Sequence, residues 1–186
     1  MSEQAQIDYR EKMLLTASSE SYKDITFRVA EIFDSIQGEG SMSGMPVTFI
    51  RFAGCNLDCP WCDAKDVWKR EGNEMSLTEI LDKVHQDVVV LTGGEPTIQK
   101  NLNALIECLH AGHKFIAMET NGTNPTPIEI DWVVCSPKPP QYLINGECYF
   151  NELKYIVDDE FDLDVIPAEK KQACGEVWLH PCEIGG

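Results

Sequence analysis

Apolar positions along this chain follow two rhythms. Alternating or unbroken apolar runs, beginning with RVAEIF (28–33) and PVTFIRFA (46–53), read as strands. SLTEILDKVHQ (76–86) instead spaces its apolar residues as a helix does, and it opens on Ser76 and Glu79. That Ser-x-x-Glu arrangement satisfies the orphan amides of a helix start. DVVVLTGG (87–94) follows as a strand, then NLNALIECLHAG (101–112) as a helix closed by Gly112. HKFIAMET (113–120), DWVVCS (131–136), ELKYIV (152–157) and EVWLHP (176–181) complete the strands. Strands alternating with helices predict an α/β fold with parallel strands joined by right-handed crossovers. Residues 1–24 are polar and weakly patterned, which predicts a loosely attached extension ahead of one domain over 25–186. The sequence contains no internal repeat.

Composition narrows the function. Of the 186 residues, 43% are apolar and 25% charged, values of a chain that buries an ordinary globular core. Lys and Arg number 15 against 31 Asp and Glu, and the resulting net charge of −16 repels phosphate backbones. Nucleic acid and anionic membranes are therefore poor partners, and a small molecule is the better one. No apolar run reaches the ~20 residues of a membrane span, and the N-terminus lacks the apolar core of a signal peptide. A cytoplasmic location is expected.

The unusual residues lie just past the ends of the predicted strands. GCNLDCPWCD (54–63) follows PVTFIRFA, TGGEP follows VVVL, ETNG follows FIAM, and SPK follows WVVC. Each alone could be a turn. Parallel α/β folds carry their chemistry at the C-terminal strand ends, so together they predict one rim and one site. Three of the eight cysteines, Cys55, Cys59 and Cys62, cluster in that first loop. With no export signal, metal ligation outranks disulfides. Structural zinc requires four ligands, and none of the four histidines has finger-like spacing from Cys62. A [4Fe-4S] cluster held by three thiolates leaves one iron open to a small ligand. Cys108, Cys135, Cys148, Cys174 and Cys182 are scattered singly and read as reduced, buried thiols.

The spacing Cys55-x3-Cys59-x2-Cys62, with aromatic Trp61 before the third cysteine, resembles the signature of radical S-adenosylmethionine enzymes. The resemblance sharpens with SIQGEG (35–40), FIRFAGCNLDCPWCD (49–63), TGGEP (92–96), ETNGT (119–123) and SPK (136–138), whose order is that of the 7-carboxy-7-deazaguanine synthase family. It implies a reduced, partly open (β/α) barrel of about six mostly parallel strands, in a homodimer. It implies S-adenosylmethionine chelated to the open iron, magnesium, and 6-carboxy-5,6,7,8-tetrahydropterin as substrate. The implied reaction removes a hydrogen from the pterin's C6 with a 5′-deoxyadenosyl radical, then contracts the ring with loss of ammonia. A glycyl-radical activating enzyme is the rival reading, and a non-catalytic iron-sulfur electron carrier a weaker one. SIQGEG and the Cys-Asp-Ala after the cluster loop favour the pterin enzyme.

Carried onto this sequence, the resemblance places Trp61, Gly93, Gly94, Glu95, Glu119, Asn121, Ser136 and Lys138 around S-adenosylmethionine. Gly93 and Gly94 lack side chains and let backbone approach a ligand, and Glu95 can accept from an ammonium. Gln37, Glu39, Arg51 and Gly94 match positions facing the pterin. There an amide and a carboxylate suit its guanidine-like edge, and Arg51 suits its carboxylate. A strand-end ion pair is the bland alternative for Arg51.

One position departs from the family. Ala64 stands where a Thr or Ser hydroxyl commonly ligates magnesium, so the ion is expected to be held weakly, through water, or by Asp63 or Asp66. Lys65, Lys69 and Arg70 follow the cluster loop and could receive an acidic reductant such as flavodoxin.

Overall fold

The computed structural model describes residues 3–60, 62, 64–65, 72–159, 161–166 and 176–182. Its centre is an eight-stranded sheet, built from β1 (Thr26–Ile36), β2 (Pro46–Phe52), β3 (Asn73–Ser76), β4 (Val88–Gly93), β5 (Phe115–Thr120), β6 (Trp132–Cys135), β7 (Glu152–Val157) and β8 (Glu176–Pro181). The spatial order is β3-β1-β2-β4-β5-β6-β7-β8. From β2 to β8 every neighbouring pair is parallel, giving the six parallel strands of the open barrel. The sheet stays open, with β3 and β8 at its edges.

The antiparallel pairs of this mostly parallel sheet lie at one edge. β1 runs antiparallel to both β2 and β3. Only residues 37–45 join β1 to β2, too few for the crossover that a parallel pair requires. β1 also outgrows its apolar centre, and β3, Asn-Glu-Met-Ser, has no apolar alternation by which to be recognised.

Helices α1 (Glu3–Ala17), α2 (Leu77–Leu81) and α3 (Leu102–Ala111) cover the outer face. The Ser76–Glu79 capping box forms at the start of α2, with Glu79 Oε2 accepting from the Ser76 amide at 2.8 Å. The helix stops after five residues, short of the predicted 76–86. Alternate side chains of the central strands, Ile50, Phe52, Val89, Leu91, Ile116 and Met118, pack outward against these helices. The others, including Phe49, Val90 and Ala117, form a smaller apolar floor on the inner face.

Residues 1–24 are expected to be loosely attached, and their described part packs onto the core through α1. Met13 and Ala17 of α1 are fully buried in the main core, and Leu14, Tyr22 and Ile25 pack against it. An added Cβ at Gly112, after α3, would approach the Met13 sulfur to 3.0 Å, so the helices meet closely. Gly112 itself is right-handed, and the left-handed residue beyond α3 is His113, with φ 53°.

Candidate active site

β2, β4, β5 and β6 are consecutive neighbours, so the loops leaving their C-terminal ends meet on one rim. Backbone hydrogen bonds join these loops directly. The Gly94 amide donates to the Phe52 carbonyl at 3.1 Å, the Glu95 amide to Gly54 at 2.9 Å, and the Ser136 amide to Thr120 at 2.8 Å. Side chains at Gly93 and Gly94 would run into the backbone of Phe52 and Gly54. Gly93 also has φ 131°, which only glycine adopts without strain.

Glu95 and Asn121 are hydrogen-bonded within the rim. Glu95 is completely buried; its Oε1 accepts from the Thr97 amide (3.1 Å), Thr97 Oγ1 (2.6 Å) and Thr120 Oγ1 (2.7 Å). Its Oε2 accepts from the Asn121 amide at 2.7 Å. Asn121 Nδ2 donates 2.9 Å to Asn56 in the cysteine loop, and Asn121 Oδ1 accepts from Thr123. These two residues brace the β4, β5 and cysteine loops together. Ser136 Oγ accepts from Lys138 Nζ at 2.6 Å.

The thiols of Cys55, Cys59 and Cys62 are partly exposed and unpaired by disulfides. Burial pushes the Cys55 and Cys59 thiols up, and the three groups lie close enough to repel one another as thiolates. The Leu57 amide donates to Cys55 Sγ at 3.4 Å, and Lys138 favours the Cys59 thiolate. Among the described residues no three Cys, His, Asp or Glu side chains are gathered as a preformed metal site; the three soft, partly exposed thiols of one loop have the donor chemistry of an iron-sulfur cluster. Cys108, Cys135 and Cys148 are buried as expected, whereas Cys182 is only half-buried. Trp61, Asp63, Asp66, Lys69, Arg70 and Cys174 lie outside the described residues. Lys65 Nζ turns back to donate to the Pro60 carbonyl.

A cavity opens on the inner face beside the rim, with Gln37, Glu39, Glu119, Glu152 and Lys154 on a floor that includes Val90 and Ala117. Gln37 Nε2 donates to Glu119 Oε1 at 3.1 Å, and Thr92 Oγ1 donates to Glu119 Oε2 at 2.8 Å. Glu119, on the inner face of β5, thus joins Gln37 at the cavity. Glu39 pairs with Lys154 at 2.6 Å and His180 at 3.6 Å. Burial opposes Glu39 ionisation, but Lys154, His180 and Lys138 outweigh it and hold its carboxyl below the usual range. Arg51 shows the ion pair, reaching Glu31 at 3.4 Å. Lys154, Glu152, His180 and Thr92 went unread in the sequence. The signal for the first two was present, since charges two apart in ELKYIV share one face of an apolar strand.

Three soft thiols on the rim of an open, six-strand parallel barrel define a radical S-adenosylmethionine enzyme, and residues 49–134 match the Radical SAM superfamily. The chain is 38% identical over 176 residues to the 7-carboxy-7-deazaguanine synthase of Haemophilus influenzae, an alignment spanning 90% of this chain and 82% of that one. It is 41% identical over 160 residues to the 7-carboxy-7-deazaguanine synthase of Bacteroides thetaiotaomicron, covering 83% and 81%. It belongs to the 7-carboxy-7-deazaguanine synthase family. The crystal structure of QueE from Escherichia coli superposes with a TM-score of 0.73 at 25% identity, over 91% of this chain and 90% of that one. No helix among the described residues is long and apolar enough to cross a membrane.

Proposed function

We propose that this chain converts 6-carboxy-5,6,7,8-tetrahydropterin to 7-carboxy-7-deazaguanine with loss of ammonia. The observation that carries the reading is the Gln37–Glu119 pair, which sets an amide and a carboxylate in one cavity beside the three-thiol rim. A pterin offers a complementary edge of N–H donors and ring-nitrogen acceptors. Cys55, Cys59 and Cys62 would hold the [4Fe-4S] cluster, which with S-adenosylmethionine supplies the 5′-deoxyadenosyl radical.

The protein's own contribution is position, charge and exclusion of water. Glu39 and Glu119 accept from the pterin's nitrogen donors, and Gln37 orients Glu119. Val90, Ala117 and Val134 provide the apolar floor that keeps water from the reacting ring. Gly93 and Gly94 bring backbone to the S-adenosylmethionine seat, with Ser136 and Lys138 at its far side. Arg51 exchanges its partly exposed partner Glu31 for the substrate's carboxylate. Glu95 and Asn121 act through the loops that they brace. Magnesium is held without a hydroxyl at Ala64, through water. A homodimer and a flavodoxin-type donor complete the reading.

The test is product identity. Reconstituted protein supplied with S-adenosylmethionine, carboxypterin, dithionite and magnesium is expected to release 7-carboxy-7-deazaguanine, seen by mass spectrometry. Release of 5′-deoxyadenosine with the pterin left intact would overturn the substrate and favour a different hydrogen donor.

A further inference from the structure

The loop between β1 and β2 carries Gln37 and Glu39, yet it is held from the opposite side of the cavity. Side chains of β7, joined by Glu176 and His180 of β8, do the holding. Glu152, nearly fully buried, accepts through Oε2 from the Ser41 amide at 3.1 Å and from Ser41 Oγ at 2.5 Å. Two residues on, and therefore on the same face, Lys154 donates to Glu39 at 2.6 Å with only 12% of its side chain exposed. Gly40 between these points has φ 64°, and a side chain there would collide with the Glu152 carboxylate. The turn Gly40–Met42 is thus shaped to fit β7.

β7 is four strands away from β2 in the sheet, so no backbone ladder fixes the distance between loop and strand. These side-chain contacts, with those of Glu176 to Ser41 and His180 to Glu39 from β8, close the open barrel across its mouth. Glu39 on its own would be free to swing, because its carboxylate is half-exposed.

We propose that Lys154 is a positioning residue for substrate recognition: with Glu152 it clamps the β1–β2 loop from β7 and aims Glu39 at the pterin's nitrogen donors. The charged groups facing Glu39 are Lys154 and Glu152 from β7, His180 from β8, Lys138 beyond β6 and Glu119 from β5. Lys154 is the near cation among them, and its removal leaves Glu39 half-buried with the more distant His180 and Lys138. The recognition half of this inference rests on the pterin reading; the clamp does not.

Two measurements separate them. In the free protein, hydrogen exchange of the Glu39 and Ser41 amides is expected to speed up about tenfold or more at Glu39 in Lys154→Met and at Ser41 in Glu152→Gln, with protection of the β4 amides unchanged. Unchanged exchange at both amides overturns the clamp. Binding of carboxypterin is then measured by calorimetry across pH for wild type, Lys154→Met, Lys154→Arg, Glu39→Gln and the Lys154→Met/Glu39→Gln double variant. Lys154→Met should weaken binding about tenfold, with its acidic limit moved to higher pH, Lys154→Arg should recover most of it, and the double variant should bind no worse than Glu39→Gln. Additive losses in the double variant, or an unmoved acidic limit, overturn the role through Glu39. Absence of binding to wild type overturns the pterin reading and, with it, the recognition half, while the exchange result still decides the clamp. Should Lys154→Met fail to fold, Lys154→Gln takes its place in both measurements under the same criteria.

Discussion

Arg51 on β2 stands directly opposite Glu31 on β1, with Nη1 3.4 Å from the carboxylate and the guanidinium 5.7 Å from the centre of the Phe33 ring. Its Nε is buried without a hydrogen-bond partner. An ion pair this exposed contributes only about 0–1 kcal/mol, so Arg51→Ala should leave the urea midpoint nearly unmoved. The same substitution is expected to weaken carboxypterin binding by about tenfold or more, because a charge-assisted pair to ligand is lost. A pterin lacking the carboxylate should bind wild type and Arg51→Ala equally. Equal losses for both ligands would assign Arg51 to the sheet alone.

Replacing Cys55, Cys59 or Cys62 with Ala should cut iron and sulfide content after reconstitution to a small fraction of wild type, since each removes one thiolate of three. Cys108→Ala should keep its full cluster. That thiol is buried in α3 among apolar residues, where burial pushes it up to about 11 and leaves it protonated. Iron assay and the visible absorption band report both outcomes.

Met13 is the main side chain by which α1 enters the core. Met13→Ala should cost about 2–5 kcal/mol, the usual range for a buried large-to-small change. Equilibrium urea unfolding measures it. A loosely attached segment would show no loss.

Asp34 is a stability group that acid should switch off. Partial burial opposes its ionisation, but hydrogen bonds from Thr48 (2.6 Å) and His85 (2.9 Å) hold its carboxyl below the ordinary 3.8. A depressed carboxyl stabilises the fold fully above its unfolded value, and that contribution disappears as pH falls through the folded one. Wild type should therefore be more stable than Asp34→Asn at pH 7, and the gap should shrink steadily below pH 4. Paired unfolding curves at both ends read the sign directly.

Position 64 decides how magnesium is used. A methyl group cannot ligate a hard cation, so Ala64→Thr is expected to lower the magnesium concentration for half-maximal product formation, by about threefold or more. Identical titrations for the two proteins would remove position 64 from the metal's surroundings.

The central strands were plain in the sequence because VVVL and FIRF can only be buried, and the rim was plain because four unusual motifs each follow such a run. The capping box at Ser76 was equally local. What escaped was set by distance along the chain. Glu39 meets Lys154 at a sequence separation of 115, and Glu31 finds Arg51 only through the register of β1 on β2. α1 escaped for a different reason: Met13 and Ala17, one turn apart, are the fully buried ones among its described side chains, too sparse to print an apolar stripe. The loop-bracing bonds of Glu95 were hidden because their donors, Thr120 and the Asn121 amide, belong to the next strand's end.

The contact between Gly94 and Gly54 bears on how the protein matures. Backbone rests on backbone there, with no side chain that could rotate aside. The β4 loop is consequently seated on the start of the cysteine loop by main chain alone, and loading of the cluster need not rebuild that seat. Apo and loaded protein should share one far-ultraviolet circular dichroism spectrum.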